Sequence, residues 1–251
     1  MLNYLLFERK YVSSLFERPQ GSLQFVDGLR AISCLWVFMF HAVFYWDPYI
    51  NCFLQDVNPV MWLANSGDQP VDVFFVLAGF FSALSHFKQL DAGKEFQPFA
   101  KYVINRIIRL YPTILLTLWI FGRKGIIATG AATFSINYNP NTMVHYWSTC
   151  VDTHLYLLAP MVCKLMWRGK PYCYLVPICI SIASTVAIWY QLETMCPEVG
   201  EWWDQCRKPT AQNEPCLPCV LKWWTTLYQQ THTRMSPYFY GMLVAYLYQK
   251  G

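Results

Sequence analysis

Charge is what this chain has least of. Only 14% of its 251 residues are Asp, Glu, Lys or Arg, against 55% hydrophobic and 18% aromatic. A soluble domain carries about a quarter charged residues. The charges that exist avoid several runs of roughly 17 to 20 residues, long enough to cross a bilayer. These runs also lack the charged face, at a 3.6-residue period, that a large soluble helical core needs. The net charge of +4 is too small to imply a nucleic-acid partner. There is no nucleophile elbow, phosphate loop, glycosylation sequon, internal repeat or low-complexity tract. The start, MLNYLLFERK, lacks a basic segment followed by a long apolar core, so no cleavable signal peptide is expected and the first span directs insertion. What these absences leave is an all-α, multi-spanning membrane bundle.

The most informative run is Asp27 to Trp46, DGLRAISCLWVFMFHAVFYW, with Arg30 at its mouth and His41 in its middle. Eleven residues of helix turn through about 1100° and rise about 16 Å, so the two side chains point nearly the same way. A histidine inside a span is costly unless it faces protein or a polar cavity, which makes it a functional-site candidate. Two readings stand side by side: His41 acts in catalysis, or it hydrogen-bonds between packed helices. Arg30 alone reads as a charge anchoring the inner end of a span.

Six spans are expected, near 31–46, 71–87, 107–121, 144–167, 172–190 and 237–249, after an N-terminal segment 1–26. The rest of the chain, 27–251, reads as one membrane domain. Arg9, Lys10 and Arg18 precede span one, and Lys88, Lys94, Lys101, Arg106 and Arg109 lie between spans two and three. The stretch 47–69 has three aspartates and no Lys or Arg. The positive-inside bias therefore places the N-terminus in the cytoplasm. Residues 99–110 suggest an amphipathic interfacial helix ahead of span three. Pro112 is expected in that span's first turns, where proline is tolerated. Residues 122–142 read as a loop on the far side with a short re-entrant part. Pro177 inside span five predicts a kink. Gly79 and its small neighbours Ala78, Ser82 and Ala83 permit close helix packing in span two.

A base that takes a proton needs a partner for its other ring nitrogen, and carboxylates are scarce in the spans. Asp72 and Asp152 are the candidates to orient His41, set against the reading that each merely sits at a helix N-terminus favoured by the dipole. Arg30, Arg106 and Arg109 form a basic group able to hold phosphates. Charge anchoring and contact with anionic lipid account for them equally. His145 and His154 are nine residues apart, not a helical metal pair, and no metal site is expected. Cys196, Cys206, Cys216 and Cys219 share the polar loop 191–234. That loop faces an oxidising compartment in this topology, so they are candidate disulfide cysteines with unassigned pairing.

Five pieces come in a recognisable order: VDGLRAISCLWVFMFHA, SGDQPVDVFFVLAGFFSAL, RIIRLYPTILLTLWIF, VDTHLYLLAPMV and THTRMSPYFYGMLVAYLY. Together they resemble the acyltransferase-3 family of membrane acyltransferases, within it the animal nose resistant to fluoxetine branch. The family's arginine, ten residues, then histidine matches Arg30 and His41. The resemblance implies acyl transfer from acyl-coenzyme A, as co-substrate rather than bound cofactor, to a hydroxyl of a lipid, sugar or other acceptor. It implies that His41 is needed for transfer and that Arg30 handles the donor. It also raises Arg106 and Arg109 as donor-binding residues. Membrane lipids are the expected surroundings, in the plasma membrane or endoplasmic reticulum. Family members have about ten spans, so six imply a shortened domain, and no counterpart of the branch's extra N-terminal domain is expected. The rival reading is a non-enzymatic membrane protein that carries lipids or small molecules on the same scaffold.

Overall fold

The computed structural model describes residues 23–46, 59, 63, 66–67, 69–120, 130–138, 146–167, 174–195 and 227–250. The cysteines 196, 206, 216 and 219 and most of the N-terminal segment lie outside the described residues. Among the described residues every regular element is helical: α1 (Gln24–Trp46), α2 (Gln69–Asp91), α3 (Phe99–Ile120), α4 (Trp147–Trp167), α5 (Leu175–Met195) and α6 (Met235–Lys250), with 3₁₀ turns at Ile136–Tyr138 and Thr231–Arg234. The helical membrane bundle expected from composition is what forms. Among the described residues four helices, α1, α2, α3 and α5, are long and apolar enough to cross a membrane. The expected spans four and six correspond to α4 and α6. Helix α4 carries Asp152, His154 and Lys164, and α6 has only 16 residues.

Cross-helix contacts fix the directions. Arg234 meets Asp72 at the start of α2, and Gln249 meets Asp91 at its end, so α2 and α6 run parallel. Phe75 packs on Trp147 and Phe87 on Trp167, so α4 runs with them. Tyr102 stacks on Tyr156 while Arg106 meets Asp152, so α3 runs against α4. Arg30 lies over Phe81, whereas Trp36 reaches the Leu63 carbonyl ahead of α2, so α1 opposes α2. Ser181 meets Ser236 and Gln191 meets His232, so α5 opposes α6. Direction thus alternates along the chain from α1 to α6.

The centre of the bundle is α2, α4 and α6. Phe87, Leu155, Val162, Met166, Tyr238, Phe239 and Met242 are nearly inaccessible there. Helices α1, α3 and α5 surround it and expose broad apolar faces, among them Ile32, Phe38, Trp119, Ile182 and Trp189. In water such faces would be a liability; in hydrocarbon they are the required surface. Lipid tails are as apolar as leucine, so burial gives little drive for association, and close packing must supply it. Accordingly α2 and α6 touch through backbone. A Cβ on Gly79 would overlap the Tyr238 carbonyl, and one on Gly241 the Val76 carbonyl. Each glycine is followed four residues on by a fully buried alanine, Ala83 and Ala245.

Helix α2 ends where Gly93 takes a left-handed conformation, φ 66°. Its amide bonds to the Leu90 carbonyl and the Lys94 amide to Gln89, the paired bonds that close a helix C-terminus. Gly93→Ala is expected to lower stability by about 1 kcal/mol, because alanine resists positive φ; the apparent unfolding temperature in detergent measures it. Phe134 ends the short helical turn at 130–132 in the same way, at φ 54° without glycine. Its buried ring beside Tyr111 holds it there.

Two local expectations change. Helix α3 is one unbroken helix from Phe99, not an interfacial piece followed by a span from Ile107, and Pro112 lies in its interior. The reason is Arg106. Its charge is matched by Asp152 inside the bundle, so the segment need not leave the bundle to solvate it. Pro177, expected to kink span five, instead sits in the first turn of α5, where its missing N–H has no helical partner to lose. Helix α4 holds the other interior proline, Pro160.

Candidate functional site

One face of α1 carries Val26, Arg30, Ser33, Val37 and His41, spaced four, three, four and four residues apart. Val26 and Ser33 are buried. The Arg30 guanidinium lies 4.8 Å from the centre of the Phe81 ring on α2. The arginine and the histidine therefore share the stripe of α1 that faces α2, as their spacing predicts.

His41 is half-buried, with its Nδ1 2.8 Å from the Val37 carbonyl oxygen one turn back. A carbonyl oxygen can only accept, so Nδ1 carries the proton. In the neutral ring Nε2 then holds the lone pair and is the basic nitrogen. Phe40 stands edge-on to the imidazole at 5.2 Å. The turn at 66–67 closes over this part of α1. A Cβ on Gly67 would overlap Phe40, and Trp36 Nε1 donates to the Leu63 carbonyl.

The aspartates suggested as partners for His41 each meet an arginine. Asp152 pairs with Arg106, which also lies over the Tyr156 ring at 4.6 Å. Asp72 accepts from Arg234 Nη1 at 2.8 Å, while Arg234 Nε donates to the Tyr228 carbonyl at 3.0 Å. His41 Nδ1, for whose ring Asp72 and Asp152 are the candidate orienting groups, meets the Val37 carbonyl. The three arginines grouped by sequence have separate surroundings: Arg30 against α2, Arg106 against α4, and Arg109 exposed one turn beyond Arg106.

Sequence reasoning used the segment THTR as part of the family resemblance but gave it no site role. Thr231 Oγ1 bonds to Asn137 Nδ2 (3.2 Å), the Tyr138 hydroxyl (3.2 Å) and His154 Nδ1 (2.8 Å), tying the 3₁₀ turn at 136–138 to α4 and α6. His232 Nε2 meets Gln191 Oε1 on α5 at 2.9 Å, and burial pushes its imidazole below the ordinary value. The signal was present as four polar residues directly before an apolar helix, which reads as loop until its partners are known.

A cavity of about 180 Å³ opens between the end of α2, the start of α3 and the C-terminal half of α4. Phe96, Phe99 and Met161 make it mostly apolar, and His86, Tyr102 and Lys164 add polar groups. The His86 Nδ1 donates to the Ser82 carbonyl at 2.7 Å, the same intrahelical arrangement as at His41.

The family model described as an acyltransferase domain matches residues 23–251. The chain belongs to the acyltransferase-3 family. Among curated proteins it is similar to the Regulator of hypoxia-inducible factor 1 of Caenorhabditis elegans, 21% identical over 278 residues, covering 95% of this chain and 54% of that protein. The chain thus spans about half the length of the curated relative it matches. No solved structure matches. Membership of the family and the apolar helices make this a membrane protein of the acyltransferase type.

Proposed function

We propose that the chain transfers an acyl group from acyl-coenzyme A to a hydroxyl of a lipid, sugar or other acceptor, with His41 as general base and Arg30 handling the donor. The observation that carries this reading is the His41 ring. The Nδ1 contact with the Val37 carbonyl makes Nε2 the lone-pair nitrogen of the neutral ring, and the ring sits on the helix face shared with Arg30. Nε2 takes the acceptor's hydroxyl proton as the oxygen attacks the thioester carbonyl. The tetrahedral intermediate collapses, the carbon–sulfur bond breaks, and the imidazolium returns the proton to the departing thiolate. Histidine suits both transfers because its unperturbed pKa is near neutrality.

The charge pattern favours a cytoplasmic N-terminus in the plasma membrane or endoplasmic reticulum, so Arg30 would lie toward the cytoplasmic source of acyl-coenzyme A. Arg109, exposed, is free to meet donor phosphates; Arg106 is engaged by Asp152, which supports a structural role for it. The test uses the chain purified in lipid nanodiscs with labelled acyl-coenzyme A. Wild type is expected to bind it and release free coenzyme A thiol, and Arg30→Ala to bind at least about tenfold more weakly, the loss of one charge-assisted hydrogen bond. Binding without any thiol release would instead favour the lipid-carrying reading.

A further inference from the structure

A proline shapes the cavity between α2, α3 and α4. Pro160 lies inside α4 and has no N–H for the Tyr156 carbonyl four residues back. The Tyr102 hydroxyl donates to that carbonyl at 2.9 Å, and the two tyrosine rings stack at 4.1 Å. These contacts fix the wall between α3 and α4. Gly93 turns the chain out of α2, and Phe96 and Phe99 beyond it add apolar walls. His86 stands edge-on to Phe96 and Tyr102, at 5.1 and 5.3 Å. The volume of about 180 Å³ exceeds the ~150 Å³ of an engineered cavity that binds benzene. It takes a segment of one hydrocarbon chain.

Three observations define what that chain is attached to. First, two lining residues, Phe99 and Met161, are 59% and 61% exposed. The cavity therefore opens on the outer surface of the bundle, which in a membrane meets lipid. Second, exposed Lys164 lines it, close to the end of α4, and no carboxylate pairs with that lysine among the described residues. Lys88, Lys94 and Lys101 are exposed at the same end of the bundle, against Asp91 and Glu95. A cation near a helix end with basic neighbours attracts a lipid phosphate. Third, buried His86 also lines the cavity, and its Nδ1 donates to the Ser82 carbonyl. In the neutral ring Nε2 is then an acceptor, which a phosphate diester or a carboxylate cannot satisfy and a hydroxyl can.

We propose that this cavity binds a monoacyl glycerophospholipid, with its chain on Phe96, Phe99 and Met161, its phosphate at Lys164 and its free glycerol hydroxyl donating to His86 Nε2. A fatty acid brings the charge without the hydroxyl. A diacyl phospholipid has esterified the glycerol position that would donate. The site is distinct from the α1 face that carries Arg30 and His41. Arg30 meets α2 at Phe81, and α1 runs from there toward the opposite end of α2, carrying His41 away from the cavity. Occupancy does not require acyl transfer.

Native mass spectrometry of the full chain released from detergent tests this, with oleoyl lysophosphatidate as the probe. Wild type is expected to retain one equivalent, saturably. Lys164→Met, at an exposed position, should bind about tenfold more weakly, the loss of one charge-assisted contact. Met161→Trp, also exposed, fills the cavity and should abolish saturable binding. A cycle reads the hydroxyl. Wild type should prefer the probe about fivefold over its analogue lacking the glycerol hydroxyl, and His86→Phe should hold the two alike. Because that comparison is made within each protein, a general loosening by His86→Phe does not imitate it. The proposal is overturned by no saturable binding to wild type, by equal affinity in Lys164→Met, by an unchanged preference in His86→Phe, or by oleate binding as tightly as the probe. No acyl-coenzyme A is present and no turnover is read, so failure here leaves the transfer reading standing.

Discussion

Gly79→Ala and Gly241→Ala should each destabilise the bundle by on the order of 3 kcal/mol, toward the upper end of overpacking losses. The sign is what makes the result diagnostic. In an unconstrained helix, glycine to alanine is favourable by about 1 kcal/mol. Here a Cβ on Gly79 would overlap the Tyr238 carbonyl, and a Cβ on Gly241 would overlap the Val76 carbonyl and crowd the Phe80 amide. These neighbours are backbone atoms of regular helices, which have no rotamer to change. The α2–α6 crossing must open, and with it the packing of Ala83, Phe87, Met242 and Ala245. Apparent unfolding temperatures in detergent, with Gly28→Ala as the control, measure this. Gly28 on α1 has open space around its Cβ position, so there alanine should be neutral or stabilising.

The second large effect concerns Arg106 and Asp152. Asp152→Leu alone should cost about 3–5 kcal/mol, because it strands the Arg106 charge among α3, α4 and α6. Arg106→Met together with Asp152→Leu should recover most of that loss, since the pair's attraction is largely offset by the desolvation of both groups. The double-mutant cycle separates this account from a catalytic role for Asp152. A structural pair predicts that the double variant regains both folding and activity; a catalytic carboxylate predicts folded protein without activity in the double variant.

The Arg30–His41 face was legible because eleven residues return a helix to nearly the same azimuth, a local property that no tertiary contact has to supply. The small residues around Gly79 were equally legible as a packing surface. Their partner, the Gly241–Ala245 pair on α6, was not, since a sequence states which helix face is flat but not which helix lies on it. The Arg106–Asp152 pair was hidden for the same reason. The residues are 46 apart in sequence, and each alone resembled a site residue. Misjudging that pair also misplaced the start of α3, because an arginine without a known partner looks too polar for a bundle interior. Thr231 shows the limit from the other side: its three partners come from residues 137, 138 and 154, and nothing local announces them.

The most direct measurement is the rate of acyl transfer, with donor affinity measured alongside, for wild type, His41→Ala and His41→Gln in nanodiscs. A general base contributes about 10²–10⁴-fold. Both variants are therefore expected to lose that much in kcat while binding acyl-coenzyme A as wild type does. A His41→Ala protein that transfers acyl groups at the wild-type rate would contradict the account and leave His41 as a packing residue on α1.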